Sequence, residues 1–274
     1  MPELPEVETI RARLGPLLEG HWLERVRIDD PRLTRPHEPD EVATRLRGEL
    51  VAAVERRGKY LVFRFESGRS LLIHLRMTGA FLHGRNGSLP DDSHRRAVIR
   101  LDNGSDVAYR DVRRFGTWLL LESDELGPYL DVRLGEEPLG HSFTPEALAR
   151  RLDSRRAPIK AALLDQRTVA GMGNIYADEA LWRARIDPHR PAGALTTDEI
   201  GSLYHAVRDA LAAGVERQGA TLRDYRTPSG DAGGMQLEFR VYGREGELCL
   251  RCGTPIAKTR TAGRGTSFCP GCQR

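Results

Sequence analysis

The chain has 274 residues, which is enough to bury a sizeable core and favours two domains over one. Its 42 Lys and Arg residues against 39 Asp and Glu residues leave a net charge of only +3, so overall charge does not identify a partner. No signal peptide and no apolar run of bilayer-spanning length is found, and we expect a soluble protein. All four cysteines follow residue 248, which argues against a secreted disulfide framework and for a reducing compartment.

The first nine residues carry two prolines and three carboxylates ahead of an apolar repeat. Removal of Met1 would leave Pro2 with a secondary α-amine, and because such groups titrate near pH ~8, part of it is an unprotonated nucleophile at neutral pH. A secondary amine that attacks a sugar aldehyde carbon gives an iminium ion, an electron sink for elimination, and Glu3 could move protons beside it. The alternative is an ordinary helix start, in which prolines fix the entry and acids complement the dipole. On these residues alone the alternative is favoured.

The first half of the chain predicts one helix followed by short strands. Apolar residues at three- and four-residue spacing from Leu4 to Leu18 indicate an amphipathic helix of about four turns, kinked at Gly15-Pro16 and ending near Gly20. Between residues 22 and 122, turn residues such as Asn103-Gly104 separate apolar runs, which indicates an antiparallel sandwich. The predicted strands are 22–28, 50–56, 60–65, 70–75, 97–101 and 106–110, with a loop over 86–94.

Helical periodicity replaces the strands after a linker at 131–143. Helices are predicted after a cap at Thr144, over 159–165 and 175–185, and after a capping box that begins at Thr196. A glycine-rich loop over 226–236 and a strand over 237–242 precede the cysteines. We therefore predict an α+β protein with a β-sandwich domain at 1–130, a helical domain at 144–236 and a four-cysteine module at 237–274.

The four cysteines at positions 249, 252, 269 and 272 have the spacing C-x2-C-x16-C-x2-C. This spacing is typical of a four-thiolate zinc site, and because protein ligands fill every position, the zinc is expected to be structural. A rubredoxin-type iron site is the less favoured alternative. The module should be a β-hairpin that presents Arg264 from its tip, and the surplus of basic residues after Leu248 suggests contact with a polyanion.

Other motifs are ambiguous when taken singly. Gly171-Met172-Gly173-Asn174 before a helix suits phosphate binding but is also a common inter-helix turn. Arg113-Arg114-Phe115-Gly116 after a strand is either a wedge for a base stack or an ordinary turn. Arg56-Arg57-Gly58-Lys59-Tyr60 is a basic turn that is more often solvated than a site, and His74 on a strand is by default a packed core histidine.

Together these motifs resemble the formamidopyrimidine-DNA glycosylases. The resemblance rests on six segments in the same order and covers essentially the whole chain: Pro2–Glu8, Gly58-Lys59-Tyr60, His74–Gly79, Arg113–Gly116, Gly171–Ala177 and the terminal zinc hairpin. The resemblance therefore favours a catalytic amine at Pro2 over an ordinary helix start. It implies a β-sandwich with an N-terminal helix, a helix–two-turn–helix domain with a zinc-finger β-hairpin, and double-stranded DNA with oxidised bases or abasic sites as the partner.

The resemblance also implies roles for individual residues. Pro2 matches the nucleophile that forms the iminium ion, Glu3 matches the general acid/base, and Glu6 matches the carboxylate that orients the N-terminal segment. The residues that match phosphate contacts around the lesion are Lys59 (which we group with the catalytic residues), His74, Lys160, Asn174 and Arg264.

Excision requires the nucleotide to be flipped out of the stack, which leaves a void. Met77, Arg113 and Phe115 match the family's void-filling residues, with Arg113 bonding the widowed cytosine. The 226–236 loop resembles the one that folds over the everted base. Arg76, where a small residue is common, and Val112, where proline is common, depart from the family's pattern and put fine lesion preference in doubt.

The resemblance therefore predicts a monomeric, cytoplasmic, nucleoid-associated bacterial glycosylase/AP lyase, acting chiefly on 8-oxoguanine opposite cytosine and on formamidopyrimidines. Three alternatives stay open: an endonuclease VIII-type enzyme for oxidised pyrimidines, a non-catalytic damage-binding zinc protein, and a zinc-ribbon RNA-binding protein.

Overall fold

The computed structural model describes residues 1–85 and 88–274, and its chain forms two compact units. The first unit comprises Met1–Leu130 and Gln218–Gly234, and the second comprises Asp131–Arg217 and Met235–Arg274. The sequence analysis grouped the 226–236 loop with the helical domain, whereas most of that segment packs with the first unit. The predicted loop over 86–94 includes Asn86 and Gly87, which lie outside the described residues.

Two four-stranded antiparallel sheets form the sandwich of the first unit, as predicted. In the part of this unit that the structure describes, the strands are β1 (Leu23–Ile28), β2 (Val51–Arg57), β3 (Tyr60–Phe65), β4 (Ser70–His74), β5 (Gly79–Arg85), β6 (Arg95–Leu101), β7 (Ser105–Asp111) and β8 (Thr117–Leu121). The sheet orders are β1-β6-β7-β5 and β2-β3-β4-β8. Strands β5 and β8 were not predicted, because β5 is rich in glycine and polar residues and β8 is a short apolar run that periodicity alone does not classify.

The helices that the structure describes in this unit are α1 (Leu4–Leu18), α2 (Pro39–Leu46) and α3 (Leu126–Asp131), and the sequence analysis predicted neither α2 nor α3. Helix α1 follows the predicted apolar spacing, and Pro5 in its first turn costs no intrahelical hydrogen bond. Its apolar stripe is buried in the sandwich core, with Val7, Ile10 and Leu14 at most 1% exposed. The core therefore fixes the helix start, where the proposed nucleophile lies.

The second unit is helical and ends in a hairpin. Its helices are α4 (Pro145–Leu152), α5 (Ile159–Leu164), α6 (Asn174–Ala184) and α7 (Thr197–Glu216), and its strands are β9 (Ala257–Thr261) and β10 (Arg264–Phe268). The Thr144 cap and the capping box between Thr196 and Glu199 are both present. Ala262 and Gly263 join the two strands with φ values of 49° and 76°, as a type I′ turn requires.

Residues 237–242 are not the predicted strand. A 3-10 turn covers Met235–Glu238, and the next amides have no strand partner. The fully buried carboxylate of Glu179 on α6 instead accepts hydrogen bonds from the amides of Arg240, Val241 and Tyr242 at 3.0 Å. Because this side chain satisfies the backbone donors, the segment enters the cysteine module without a sheet.

Within the residues that the structure describes, no helix is long and apolar enough to cross a membrane.

Candidate functional site

The N-terminus of α1 is held by a buried carboxylate. Pro2 is buried, and Glu3 and Glu6 are only 3% and 2% exposed. Oε2 of Glu6 accepts a hydrogen bond from the Glu3 amide at 2.8 Å, and Oε1 accepts one from the Ala220 amide at 2.7 Å. Gly219 makes this approach possible, because a Cβ there would lie 2.8 Å from Oε1 of Glu6. One side chain thus joins the start of the helix to the 218–234 segment.

The 218–234 segment is closed by its own polar contacts. The Tyr225 hydroxyl donates to the Gln218 carbonyl at 3.0 Å, and the Thr221 hydroxyl donates to the Tyr225 carbonyl and accepts from the Gly233 amide. Burial, reinforced by the nearby Glu6 charge, raises the pKa of Tyr225, so its hydroxyl stays protonated and can donate. The segment is therefore a compact loop rather than an extended connection.

Lys59 lies in the two-residue turn between β2 and β3, after Gly58 at φ +59°. It is only 6% exposed, so this turn is not the solvated turn that its local residues alone would favour. The neighbouring Arg56 donates to the Glu8 carboxylate at 2.9 Å and to the Gly58 carbonyl. The base of the Lys59 turn is thereby bound to α1.

His74 ends β4 as a buried, neutral imidazole. Its Nδ1 accepts a hydrogen bond from the Arg76 amide at 3.0 Å, which assigns the proton to Nε2. Burial, together with the charges of Arg76 and Lys59, lowers the pKa of His74 to about 3. The ring packs edge-on against Tyr60, with centroids 4.8 Å apart. At neutral pH His74 therefore offers an uncharged N–H donor.

Three exposed side chains lie on two neighbouring loops. Met77 is 37% exposed and Phe115 is 51% exposed, so both side chains are accessible at the surface of the first unit. The Arg113 guanidinium lies 4.8 Å from the centroid of the Phe115 ring. The structure thus brings together two of the predicted void-filling residues, with Met77 on the loop beside them.

A single carboxylate holds these two loops together. Asp111, at the end of β7, is 1% exposed and accepts hydrogen bonds from the Gly116 amide at 2.7 Å, the Arg113 amide at 3.2 Å and the Thr78 hydroxyl. Gly116 must be glycine, because a Cβ there would lie 1.8 Å from the Tyr109 hydroxyl. Asp111 therefore sets the positions of Met77, through Thr78, and of Arg113.

Arg114 has a different role from Arg113. Its guanidinium binds the buried Asp30 carboxylate through two hydrogen bonds of 2.6 and 2.8 Å, and its backbone has φ +58°. This interaction lowers the pKa of Asp30. Arg114 therefore anchors the loop, which leaves Arg113 beside Phe115 on the surface.

In the second unit, Lys160 is fully buried and points at protein rather than solvent. Its ammonium group contacts Oδ1 of Asp178 at 2.7 Å, the Gly265 carbonyl at 2.6 Å and the Thr266 hydroxyl at 3.0 Å. Burial raises the pKa of Asp178 to about 6 against the opposing effect of Lys160. The Lys160 side chain has no exposed surface in this arrangement, and we therefore propose that Lys160 positions the hairpin.

Asn174 and Arg264 lie close to each other in this unit. Asn174 is the first residue of α6, and its Nδ2 donates to the Gly265 carbonyl at 3.0 Å. Arg264 is exposed at the start of β10, directly after the turn, rather than at its tip. The Gly265 carbonyl, which also binds Lys160, places these two candidate phosphate ligands side by side.

The four cysteines form one cluster in which every pair of sulfur atoms is within 4.8 Å. The Cys249–Cys272 and Cys252–Cys269 sulfur distances are 3.9 and 3.4 Å, near the roughly 3.8 Å that a tetrahedral zinc–thiolate site requires. Burial alone would raise the pKa of Cys249, but hydrogen bonds from Trp182 and from nearby amides lower it to about 6. The donor set fits one structural zinc ion that folds the module and has no open position.

Family models match three consecutive parts of the chain. They are the formamidopyrimidine-DNA glycosylase N-terminal domain over residues 1–118, the formamidopyrimidine-DNA glycosylase H2TH domain over 134–226, and a zinc finger found in FPG and IleRS over 246–274. The chain belongs to the formamidopyrimidine-DNA glycosylase family. The fold, with its sandwich, helical domain and zinc finger, is the one that the resemblance predicted.

Relatives of this glycosylase align from end to end. Formamidopyrimidine-DNA glycosylases of a Roseiflexus species and of Geobacillus kaustophilus are each 46% identical, with all of both chains covered. A Lactococcus lactis Fpg solved with Fapy-dG-containing DNA is 36% identical, with a TM-score of 0.91 over 99% of this chain and 100% of that one. The Thermus thermophilus protein is 45% identical, with a TM-score of 0.88 over 99% and 98% of the two chains.

Sequence reasoning missed the residues that support the glycosylase site. Asp30, Asp111 and Asp178 are all buried acids that bind a functional loop or hairpin. Asp178 could have been identified as a supporting residue from its spacing, because it lies four residues after the candidate phosphate ligand Asn174 on the same face of the helix. Asp111 directly follows an apolar strand, but nothing local distinguishes it from an ordinary turn acid.

We expect His74→Gln to remove a specific pH dependence of stability. Because the folded pKa of His74 lies below the unfolded value of 6.5, its burial favours folding above pH 6.5, and this contribution is lost as pH falls toward 3. Between pH 7 and 5 the wild type should lose about 2 kcal/mol of unfolding free energy that the variant does not lose. Urea titrations at the two pH values measure this, with His37→Gln as the control. Equal losses in wild type and H74Q would contradict a neutral His74.

We expect Asp111→Asn to impair lesion processing in duplex DNA but not in single strands. An amide keeps one acceptor oxygen but faces a backbone N–H with an NH2 group, which costs about 1.5–3 kcal/mol of loop positioning. Cleavage of an abasic site should therefore fall in duplex and stay near wild type in a single strand, where no void must be filled. Asp106→Asn, at the buried other end of β7, is the matched control. A proportional fall on both substrates would refute loop positioning.

We expect Lys160→Met to destabilise the second unit, because it leaves the buried Asp178 charge without its cation. Losing one partner of a buried ion pair costs about 3–5 kcal/mol, and K160M/D178L should recover part of that loss. Urea unfolding of the zinc-loaded protein measures both. A stable K160M that instead lowers the salt dependence of DNA binding would restore Lys160 as a phosphate ligand.

Proposed function

We propose that this protein is a bifunctional DNA glycosylase/AP lyase that excises oxidised purines and cuts the strand by β,δ-elimination through an iminium ion on Pro2. Its family membership supports the glycosylase activity. The observation that carries the proposal further is the buried start of α1, where Glu6 fixes the Glu3 amide beside the buried Pro2. A catalytic chain end must be held in this way, because termini are otherwise mobile.

The chemistry begins when Met1, which is 46% exposed, is removed and the Pro2 nitrogen becomes a free secondary amine. Its lone pair attacks C1′ of the damaged nucleotide, the bond from C1′ to the base breaks, and the base leaves with the proton that the attacking amine gives up. Opening of the sugar ring gives the iminium ion, and Glu3 supplies the proton that the ring oxygen needs.

Two eliminations then follow from the iminium ion. Loss of a C2′ proton expels the 3′ phosphate, and a second elimination expels the 5′ phosphate. Water finally adds to the iminium carbon and releases the sugar fragment from Pro2. Both eliminations use the iminium ion as their electron sink.

Candidate phosphate ligands come from both units. Lys59 supplies a cation, His74 an uncharged N–H, Asn174 an amide and Arg264 a guanidinium. A neutral His74 makes its contribution independent of pH between about 5 and 9. The zinc finger contributes by fixing the strand that begins with Arg264.

The void left by the everted nucleotide is filled by Met77, Arg113 and Phe115. The exposed Phe115 ring wedges into the stack, and Arg113 hydrogen-bonds the widowed cytosine. Both side chains are exposed on a loop that is hydrogen-bonded to the buried carboxylates of Asp30 and Asp111. They are therefore positioned before DNA binds. Such positioning lowers the ordering cost of binding.

The 218–234 segment folds over the everted base. Its link to Glu6 joins lesion recognition to the proline, so closure on the right base completes the reactive arrangement. Arg76, at φ +53°, follows His74 on the Met77 loop and modulates lesion preference. The protein acts as a monomer in the bacterial cytoplasm, on nucleoid DNA.

Oxidised pyrimidines are the second candidate substrates. A wild-type Lactococcus lactis Fpg, 36% identical with a TM-score of 0.92, was solved with DNA containing an oxidized pyrimidine. The Leu4-Pro5 dipeptide, the Arg113/Phe115 pair and the 226–236 loop favour purines as the main substrates.

Borohydride trapping tests the nucleophile and the substrate together. With duplexes that carry 8-oxoguanine, thymine glycol or an abasic site, we expect an adduct whose intact mass lacks Met1 and whose peptide map places the DNA on Pro2. Yield should be highest for 8-oxoguanine opposite cytosine and the abasic site, and Glu3→Gln should lower it by at least about 10²-fold, the lower end of general acid–base effects.

The chain has only three lysines, so a misassigned nucleophile is easy to detect. An adduct on Lys59, or full cleavage by protein that retains Met1, would overturn the Pro2 mechanism. Binding without any adduct would favour a damage sensor, and a thymine glycol preference would favour the endonuclease VIII type.

A further inference from the structure

Helix α6 is fastened to the cysteine module along one face. Asp178 accepts a hydrogen bond from the Ser267 amide on β10 at 2.9 Å. Four residues later, the Trp182 indole donates its Nε1–H to Sγ of Cys249 at 3.4 Å. Residues four apart lie on the same face of a helix. One face of α6 therefore binds both an amide of β10, through Asp178, and the Cys249 thiolate, through Trp182.

Arg251 completes this contact from within the module. Its guanidinium lies 4.0 Å from the centroid of the Trp182 ring and donates to the Trp182 carbonyl at 3.0 Å. The same guanidinium nitrogen is 3.7 Å from Sγ of Cys272. The indole and the guanidinium are thus stacked, and each donates to a different cysteine of the cluster.

We propose that Trp182 and Arg251 act as one unit that neutralises the zinc-binding thiolates and positions the finger on α6. Four thiolates and a divalent ion carry a net charge of minus two, and N–H donors directed at sulfur reduce its electron density. Hydrogen-bonding partners of metal ligands change metal affinity by about 10–100-fold. Phenylalanine keeps an aromatic ring at this position but is smaller than the indole and has no N–H, so it removes the hydrogen bond to the Cys249 sulfur.

The unit also links zinc binding to the DNA-facing residues of the second unit. Helix α6 begins with Asn174, and β10 begins with Arg264. Because Trp182 and Asp178 hold the module against α6, they set the distance between these two residues. This consequence rests on the proposed DNA-binding function, whereas the effect on the metal does not.

Trp182→Phe tests the effect on the metal, with Trp22→Phe, an exposed tryptophan in the first unit, as the control. In the cobalt-substituted proteins, loss of the N–H donor should shift the thiolate-to-metal charge-transfer band to lower energy. Zinc transfer to a chromophoric chelator should be about tenfold faster in W182F than in wild type or W22F. Neither readout depends on glycosylase activity, so failure of the enzymatic proposal leaves it intact. An unchanged band together with unchanged zinc transfer would overturn the proposal.

Arg251→Ala keeps the indole and provides a second test of the proposal if W182F fails to fold. This variant should also speed zinc transfer, and if the two side chains act as one unit, W182F/R251A should be no faster than the faster single variant. Fully multiplicative effects would show two independent contacts and contradict a single unit. Wild-type zinc transfer in R251A would exclude Arg251 from it.

Discussion

The carboxylate of Glu6 is the contact on which the proposed chemistry depends. Its two oxygens bind the Glu3 amide and the Ala220 amide, which are more than 200 residues apart in sequence. Both bonds are to a charged acceptor in a buried place, where such bonds are stronger than neutral ones and expensive to lose. The chain end is therefore ordered by the same group that orders the loop proposed to cover the base.

Buried acids serve the same purpose elsewhere in both units. Asp111 accepts the amides of the Arg113 loop, Asp178 accepts an amide of β10, and Glu179 accepts three amides that lead into the cysteine module. A loop has few backbone partners of its own, and a buried carboxylate satisfies several donors at one point. Exposed functional side chains can then be carried on segments that have little regular structure.

The sequence predicted the parts of this molecule that local chemistry determines. The α1 periodicity, the caps at Thr144 and Thr196 and the cysteine spacing each depend on residues close in the chain, and each was confirmed. The prediction of a strand over 237–242 was wrong because the partner of this segment, Glu179, is about 60 residues away. No local sequence pattern indicates such a contact. The burial of Lys160 was missed for the same reason. The family resemblance identified candidate contact residues but not the acids beneath them.

Lysine is rare in this chain, and two of its lysines occupy buried positions. Only three of the 42 Lys and Arg residues are lysines, and two of them, Lys59 and Lys160, are buried. A planar guanidinium needs acceptors arranged in its own plane, whereas an ammonium group points three donors in a tetrahedral fan. Around Lys160 the Asp178 carboxylate, the Gly265 carbonyl and the Thr266 hydroxyl supply three acceptors within 3.0 Å, one for each ammonium N–H. This match between donors and acceptors favours a lysine there, in a chain that otherwise uses arginine, and supports the proposal that Lys160 positions the hairpin that carries Arg264.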